Sequence, residues 1–350
     1  MRSFHNLRQK FEERILHLPF YFIAELGLNH NGSTERAHEL IDIAAGCGAH
    51  AIKLQKRTVD QLAIQSVLDA RDGRFPSLGS TYREVREAHE FSFEDFTKLR
   101  DHTESLGLDF FVTPFDKIAV DFLAPLNLVA IKVASHSVTN IPLISYIAAQ
   151  NKFIIMSTGM STLEEVDLAV DLFKRANASL VLMHCVSSYP THDSDLNLRI
   201  IPELSKRYDL PVGYSGHEIN SNASMIALAL GGRIIERHIT QSRHLEGFDH
   251  KLSLDPDDLK SLISDLEQTH TMLGSSEKRL QTSEMKSRNN YNVSMVAKRD
   301  IKTGEKLLDE MIEWKNPGTG IPPKRVQEFL GRTVTRYISA DSLLAEEDFE

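Results

Sequence analysis

The chain has 350 residues, 41% of them hydrophobic, with a formal net charge of -9 and a pI near 5.9. This is a globular composition with room for one large domain and a smaller one. No basic face stands out, which argues against nucleic acid or an anionic membrane as the main partner. The two cysteines, Cys47 and Cys185, have no metal-type spacing and suggest reduced thiols in a cytoplasmic protein.

The first residues, "MRSFHNLRQKFEERILHLPF", are charged throughout and lack the apolar core and cleavage site of a signal peptide. Eight β-rich runs follow, at 21–28, 51–55, 110–115, 130–135, 153–158, 180–186, 211–216 and 234–240. All are strand-length, too short to span a membrane. Their near-continuous apolarity suits parallel strands buried on both faces.

Helix signals lie between them. Ser33 or Thr34 can cap a helix that buries Ala37, Leu40, Ile41, Ala44 and Ala45 and ends at Gly46 and Gly48. Ser92 followed by Asp95 opens another, with Phe93, Phe96, Leu99 and Leu106 as its stripe and Gly107 as its stop. Ser161 followed by Glu164 reads as a capping box. Asp255 and Pro256 start a long helix with Leu259, Leu262, Ile263 and Leu266 facing inward.

This alternation predicts a (β/α)8 TIM barrel. An open doubly wound sheet would ordinarily show a glycine-rich phosphate turn after its first strand, and "GLNHNG" is not one. The expected organisation is a barrel over 1–273, a polar linker over 274–290 and a small, mostly β domain over 291–350 around the loop "NPGTGIPP".

In a barrel the C-terminal strand ends build the active site. Here they carry Glu25 and Asn29, Lys53 and Gln55, Thr113 and Asp116, Lys132 and Ser135, Ser157 and Thr158, His184 and Tyr189, Ser215 and His217, and Glu236 and His238. Lys53 and Lys132 lie on strands that should be buried, and an unpartnered ammonium there is costly. Either they pair with carboxylates such as Glu25 or Glu236, or they face an anionic ligand ringed by the hydroxyls of Thr113, Ser135, Ser157 and Ser215. His217 and His238, on adjacent strands, are either rim residues or the ligands of a metal whose remaining positions serve substrate and water. His184 and Cys185 read as packing residues at the mouth of strand 6, and His30 and His136 as exposed loop residues.

The segments "IAELGLNHNGS", "AIKLQ", "FVTPFD", "IKVAS", "STGMST", "HCVSSYPT", "VGYSGHE", "IERHIT", "EGFDHKLSL", "VAKRDIKTGEKL" and "NPGTGIPP" together resemble the sialic acid synthases, a family that includes spore coat polysaccharide biosynthesis protein E. Only the first ~20 residues lie outside the match, as a terminal extension. The resemblance implies a barrel followed by an antifreeze-like (SAF) domain. It implies condensation of phosphoenolpyruvate (PEP) with an acylamino sugar aldehyde, similar to N-acetylmannosamine, to give a nonulosonic 2-keto acid for surface polysaccharide. It also implies a homodimer in which the small domain completes the partner's site.

By the same resemblance His217 and His238 hold a divalent Mn2+ or Mg2+, and Glu25 handles protons. Lys53, Thr113, Lys132, Ser135, Ser157 and Ser215 bind PEP, and Gln55, Tyr189, Asp249 and Asn316 meet the sugar. The sequence departs from the family pattern at Ser137, Ser187, Gly216 and Asn316. Two other readings fit the residues: a Schiff-base aldolase using Lys132, and a non-catalytic family member.

Overall fold

The computed structural model describes residues 11–15 and 17–350. Eight parallel strands form a closed barrel: β1 (Tyr21–Gly27), β2 (Ala51–Lys56), β3 (Asp109–Pro114), β4 (Ala130–Val133), β5 (Phe153–Ser157), β6 (Leu180–Cys185), β7 (Val212–Gly216) and β8 (Ile234–His238). Each is followed by a main helix: α1 (Thr34–Cys47), α2 (Phe93–Ser105), α3 (Lys117–Leu123), α4 (Ile141–Ala148), α5 (Leu163–Arg175), α6 (Ile200–Tyr208), α7 (Asn222–Ala229) and α8 (Pro256–Leu273). The open-sheet alternative is excluded, because β1 pairs with both β2 and β8.

The helix signals act largely as read. Ser33 caps α1, but Gly46 lies inside the helix, and Gly48, at φ 92°, ends it. Only the left-handed residue terminates the helix, since Gly46 can still adopt helical dihedrals. In α2 the capping box of Ser92 and Asp95 forms and Phe96 and Leu99 are buried, but Phe93 and Leu106 are exposed. The cap of α5 sits one residue later than expected, with Thr162 and Glu165 forming the box. α8 buries Leu259, Leu262, Ile263 and Leu266.

Residues ahead of β1 belong to the barrel. Residues 11–15 are helical, and Phe11 and Ile15 are buried among the inward-facing residues at the strand starts. Phe11 meets Tyr21, Phe111 and Phe153 edge-to-face, with ring centroids 6.0, 5.5 and 5.2 Å away. This part of the expected extension therefore closes the barrel floor. Residues 1–10 of that extension lie outside the described residues.

The chain divides into two compact units, Met1–Gly274 and Ser275–Glu350. The stretch read as linker carries a short helix, Met285–Tyr291, which belongs to the second unit. That unit has one antiparallel pair, β9 (Ser294–Ala297) and β10 (Ile312–Lys315), over a core that includes Met295, Leu307, Phe329 and Leu344. Isolated bridges and single turns hold the rest, so regular strand is scarcer than expected. Among the described residues no helix is long and apolar enough to cross a membrane.

Candidate functional site

Side chains alternate in and out along a strand, and in this barrel that period sorts chemistry by height. The lower inward positions are apolar: Tyr21 and Ile23 on β1, Ala51 on β2, Phe111 on β3, Phe153 and Ile155 on β5, Val181 and Met183 on β6. One step further up, the same faces present Glu25, Lys53, Thr113, Lys132, Ser157, Cys185, Ser215 and Glu236, all lining a cavity of about 230 Å³. Above them the lining adds Gln55, Ser135, Tyr189, His217, His238 and Asp249. The barrel thus brings together the catalytic, PEP-binding and sugar-binding residues expected from its own sequence, whereas Asn29, Asp116, Thr158 and His184, also expected at the strand ends, are not among the residues that line this cavity. Asn316 lies in the second unit, exposed, just past β10.

Two lysines and two carboxylates form the floor of the cavity. Register sets Glu25 beside Lys53. Lys53 Nζ lies 3.1 Å from Glu25 Oε2 and 3.1 Å from Glu236 Oε1. Lys132 Nζ is 3.7 Å from Glu236 Oε1 and donates to Ser157 Oγ. Lys53 is therefore internally paired, whereas Lys132 is held more loosely. Burial pushes Lys132 down to about 8, against the opposing pull of Glu236. Burial also works to raise Glu236, but Lys132 and Lys53 outweigh it and hold that carboxyl at about 2. Glu25 goes the other way: burial lifts it above the usual carboxylate range, against the pull of Lys53. Two neighbouring carboxyls pushed apart in this way suit one to hold a proton and the other to stay ionised.

The hydroxyls are aimed at the same space. Thr113 Oγ1 is buried and makes no hydrogen bond. Ser215 Oγ donates to Glu236 at 3.0 Å, and Ser135 Oγ accepts from the Gly159 N–H at 3.1 Å.

The two imidazoles face each other with ring centroids 5.4 Å apart, and Tyr189 stacks on His217 at 4.1 Å. His217 Nδ1 is 3.1 Å from the Val186 carbonyl, which fixes the proton on that nitrogen and frees Nε2. His238 Nδ1 is buried, makes no hydrogen bond, and lies 3.9 Å from Asp249 Oδ2. Burial holds His238 neutral, at about 4. Its ring packs over Gly27, where β1 bulges at φ 54°: a Cβ at that position would stand 3.1 Å from His238 Cε1. Among the described residues no group of three or more His, Cys, Asp or Glu converges as a metal site. Against the burial that would lower it, contact with Cys185 and the Val186 carbonyl raises His217 above the usual imidazole range; with that proton displaced, the two facing rings fit a divalent cation whose other positions belong to substrate and water.

Other residues stand differently from their sequence reading. His184 packs outward, its Nε2 2.6 Å from the Leu196 carbonyl, but Cys185 faces the cavity 3.8 Å from His217 Nδ1. His30 is buried rather than exposed, stacked 4.3 Å from Phe91, whereas His136 is exposed at the cavity rim. Gly216 has a structural reason. A Cβ there would come within 2.6 Å of Glu218 Oε2, in a carboxylate fully buried against Arg237 at 2.8 Å and the Tyr214 hydroxyl at 2.6 Å. Ser137 is buried and Ser187 lines the cavity.

Sequence reasoning missed Arg57, Arg86, Phe115 and Phe248, which also line the cavity. Arg57 was accessible in principle: it continues the inward alternation Lys53, Gln55, Arg57 one step past the strand. Arg86, on a short helix (Tyr82–Glu87) in the connection after β2, and Phe248, in the loop after β8, follow no strand period that points to the cavity.

The NeuB family model matches residues 40–278, and the SAF domain model matches residues 292–350. N,N'-diacetyllegionaminic acid synthase of Legionella pneumophila is 35% identical over 94% of both chains. N-acetylneuraminate-9-phosphate synthase of Mus musculus is 33% identical over 95% of this chain and 93% of its own. The solved structure assigned as spore coat polysaccharide biosynthesis protein E from Chromobacterium violaceum superposes with a TM-score of 0.80 at 26% identity, covering 95% of this chain and 99% of that one.

Proposed function

The chain belongs to the NeuB family and ends in a SAF domain, and on that premise we propose that it is a nonulosonic acid synthase. It joins carbon 3 of PEP to the aldehyde carbon of an acylamino sugar. Water adds at carbon 2, and phosphate leaves to give a 2-keto acid for surface polysaccharide. The observation that carries this reading is the convergence, on one barrel mouth, of two lysines, four hydroxyls and two facing imidazoles.

Lys132, Lys53 and the hydroxyls of Thr113, Ser135, Ser157 and Ser215 hold the phosphate of PEP by charge-assisted contacts. Glu25, raised by burial, holds a proton where water and the sugar oxygen react, and passes it between them. His217 and His238 hold a divalent cation, Mn2+ or Mg2+, which when bound supplies Lewis acidity at the aldehyde oxygen. Gln55, Tyr189 and Asp249 line the sugar's path. We place the enzyme in the cytoplasm as a homodimer. Exposed residues 275–281 link the units without regular structure and suit docking of a small domain, with Asn316, onto the partner subunit.

The test is phosphate release from PEP across a panel of acylamino hexoses, with and without manganese, alongside light scattering for the dimer. No release with any acceptor would overturn the synthase reading, and a monomer would overturn the association. A buried lysine near neutrality also fits a Schiff-base aldolase. Borohydride trapping of Lys132 with substrate would favour that reading.

A further inference from the structure

The β7–β8 ladder stops just short of the two facing histidines. Its last pair sets Gly216 opposite Arg237, and His217 and His238 are the next residues along each chain. Past that pair the ladder no longer fixes the 5.4 Å between the two ring centroids. Groups that share one ligand must be held within about 0.5 Å of the working geometry.

The Arg237 side chain takes over where the ladder ends. It is turned away from the cavity and is 1% exposed. Its Nη1 lies 2.8 Å from Glu218 Oε1 and donates to the Asn220 carbonyl at 3.1 Å and to Ser224 Oγ, on α7, at 3.2 Å. Its Nη2 donates to the Glu218 carbonyl at 2.5 Å. One planar fork, on the residue before His238, thus grips both the side chain and the backbone of the residue after His217. The grip is also set from behind. The Tyr214 hydroxyl donates to Glu218 Oε2 at 2.6 Å, and the carboxylate fills the space of the missing Gly216 side chain, 2.6 and 2.9 Å from where a Cβ would stand. His217 is tied to the β6 side by the Val186 carbonyl and the Thr191 N–H, but neither contact reaches β8.

Stability does not account for such a pair. Desolvating two charges costs about what their attraction returns, and apolar side chains of similar volume often do as well. What the pair supplies is a fixed distance between two strand ends. From this placement, and resting on the metal reading above, we infer that Arg237 and Glu218 are positioning residues: without lining the cavity, they set the spacing of His217 and His238 and so the affinity for the divalent cation.

The test is calorimetric titration with Mn2+, with PEP titration in metal-free buffer as the control for a folded site. It uses the wild type, the double variant Glu218→Leu/Arg237→Met, and Gly216→Ala. The double variant removes one charge of each sign, so the net charge beside the histidines is unchanged and a lost affinity reads spacing. Gly216→Ala keeps both charges and drives the Glu218 carboxylate from its slot. Each variant should bind Mn2+ about 10- to 100-fold more weakly and bind PEP as the wild type does, since Lys53 and Lys132 stand on β2 and β4. Wild-type Mn2+ affinity in either variant that still binds PEP overturns the inference and leaves the metal reading standing. Loss of PEP binding in both variants makes the pair a part of the fold alone and overturns it too. A wild type that binds no Mn2+ removes the metal reading and this inference with it.

Discussion

Lys132→Met separates a ligand-binding lysine from an internal salt bridge. In the wild type Lys132 is 3.7 Å from Glu236 and donates to Ser157, whereas Glu236 keeps a closer cation, Lys53 at 3.1 Å, and the Ser215 hydroxyl at 3.0 Å. Removing Lys132 therefore leaves no carboxylate unpaired, and stability should change little. Bound PEP loses one charge-assisted contact, about 1.5–3 kcal/mol, or roughly ten- to 150-fold in dissociation constant. Lys53→Met is the contrast. It strips the close cation from both Glu25 and Glu236 and should cost about 3–5 kcal/mol of stability. Calorimetry with PEP and denaturant unfolding read the two effects. The sign of the pH dependence follows from the ligand-free lysine, which burial holds at about 8. Only the protonated form attracts phosphate, so affinity should be flat between pH 7 and 8 and fall about tenfold per pH unit above. Lys132→Met should abolish that slope. A variant that binds PEP as the wild type does, with the slope intact, would refute the phosphate role and leave the internal pair.

His217→Ala and His238→Ala should each eliminate measurable Mn2+ binding in calorimetry with PEP present, with the melting temperature little changed, because strand-end ligands add little to the core. Wild-type Mn2+ affinity in either variant would rule out the pair as ligands. Gly27→Ala combines a left-handed backbone, worth about 1–2 kcal/mol, with a Cβ 3.1 Å from His238. It should weaken Mn2+ binding by moving that ring, and an unaltered titration would show that the bulge does not position it. Phe11→Ala empties a slot bounded by three aromatic rings at the barrel floor. It should lower unfolding free energy by about 3–5 kcal/mol without moving the PEP dissociation constant, whereas unchanged stability would detach residues 11–15 from the core.

The local periods of this chain determine much of it. Continuous apolar runs spaced by capped helices specify a (β/α)8 barrel, since buried parallel strands and amphipathic helices have few other ways to cover each other. Alternation along β2 and β4 marks Lys53 and Lys132 as inward-facing, and the same period places His217 and His238 at the mouth. Tertiary structure decides what these residues meet. Lys53 lies between Glu25 and Glu236, on strands far apart in sequence and adjacent only because the sheet closes. Phe11 becomes core because an open barrel end would leave Tyr21, Phe111 and Phe153 uncovered. Arg86 reaches the site on a short helix in the long connection after β2 and Phe248 on an irregular loop after β8, where no strand repeat in the sequence fixes a direction. Gly216 is intelligible only once Glu218 is seen folded over it, held by Arg237 from the neighbouring strand. Periodicity is a property of a few consecutive residues and survives reading in one dimension. Pairing across a closed sheet is a property of the folded chain, fixed by the burial of charges that must find partners.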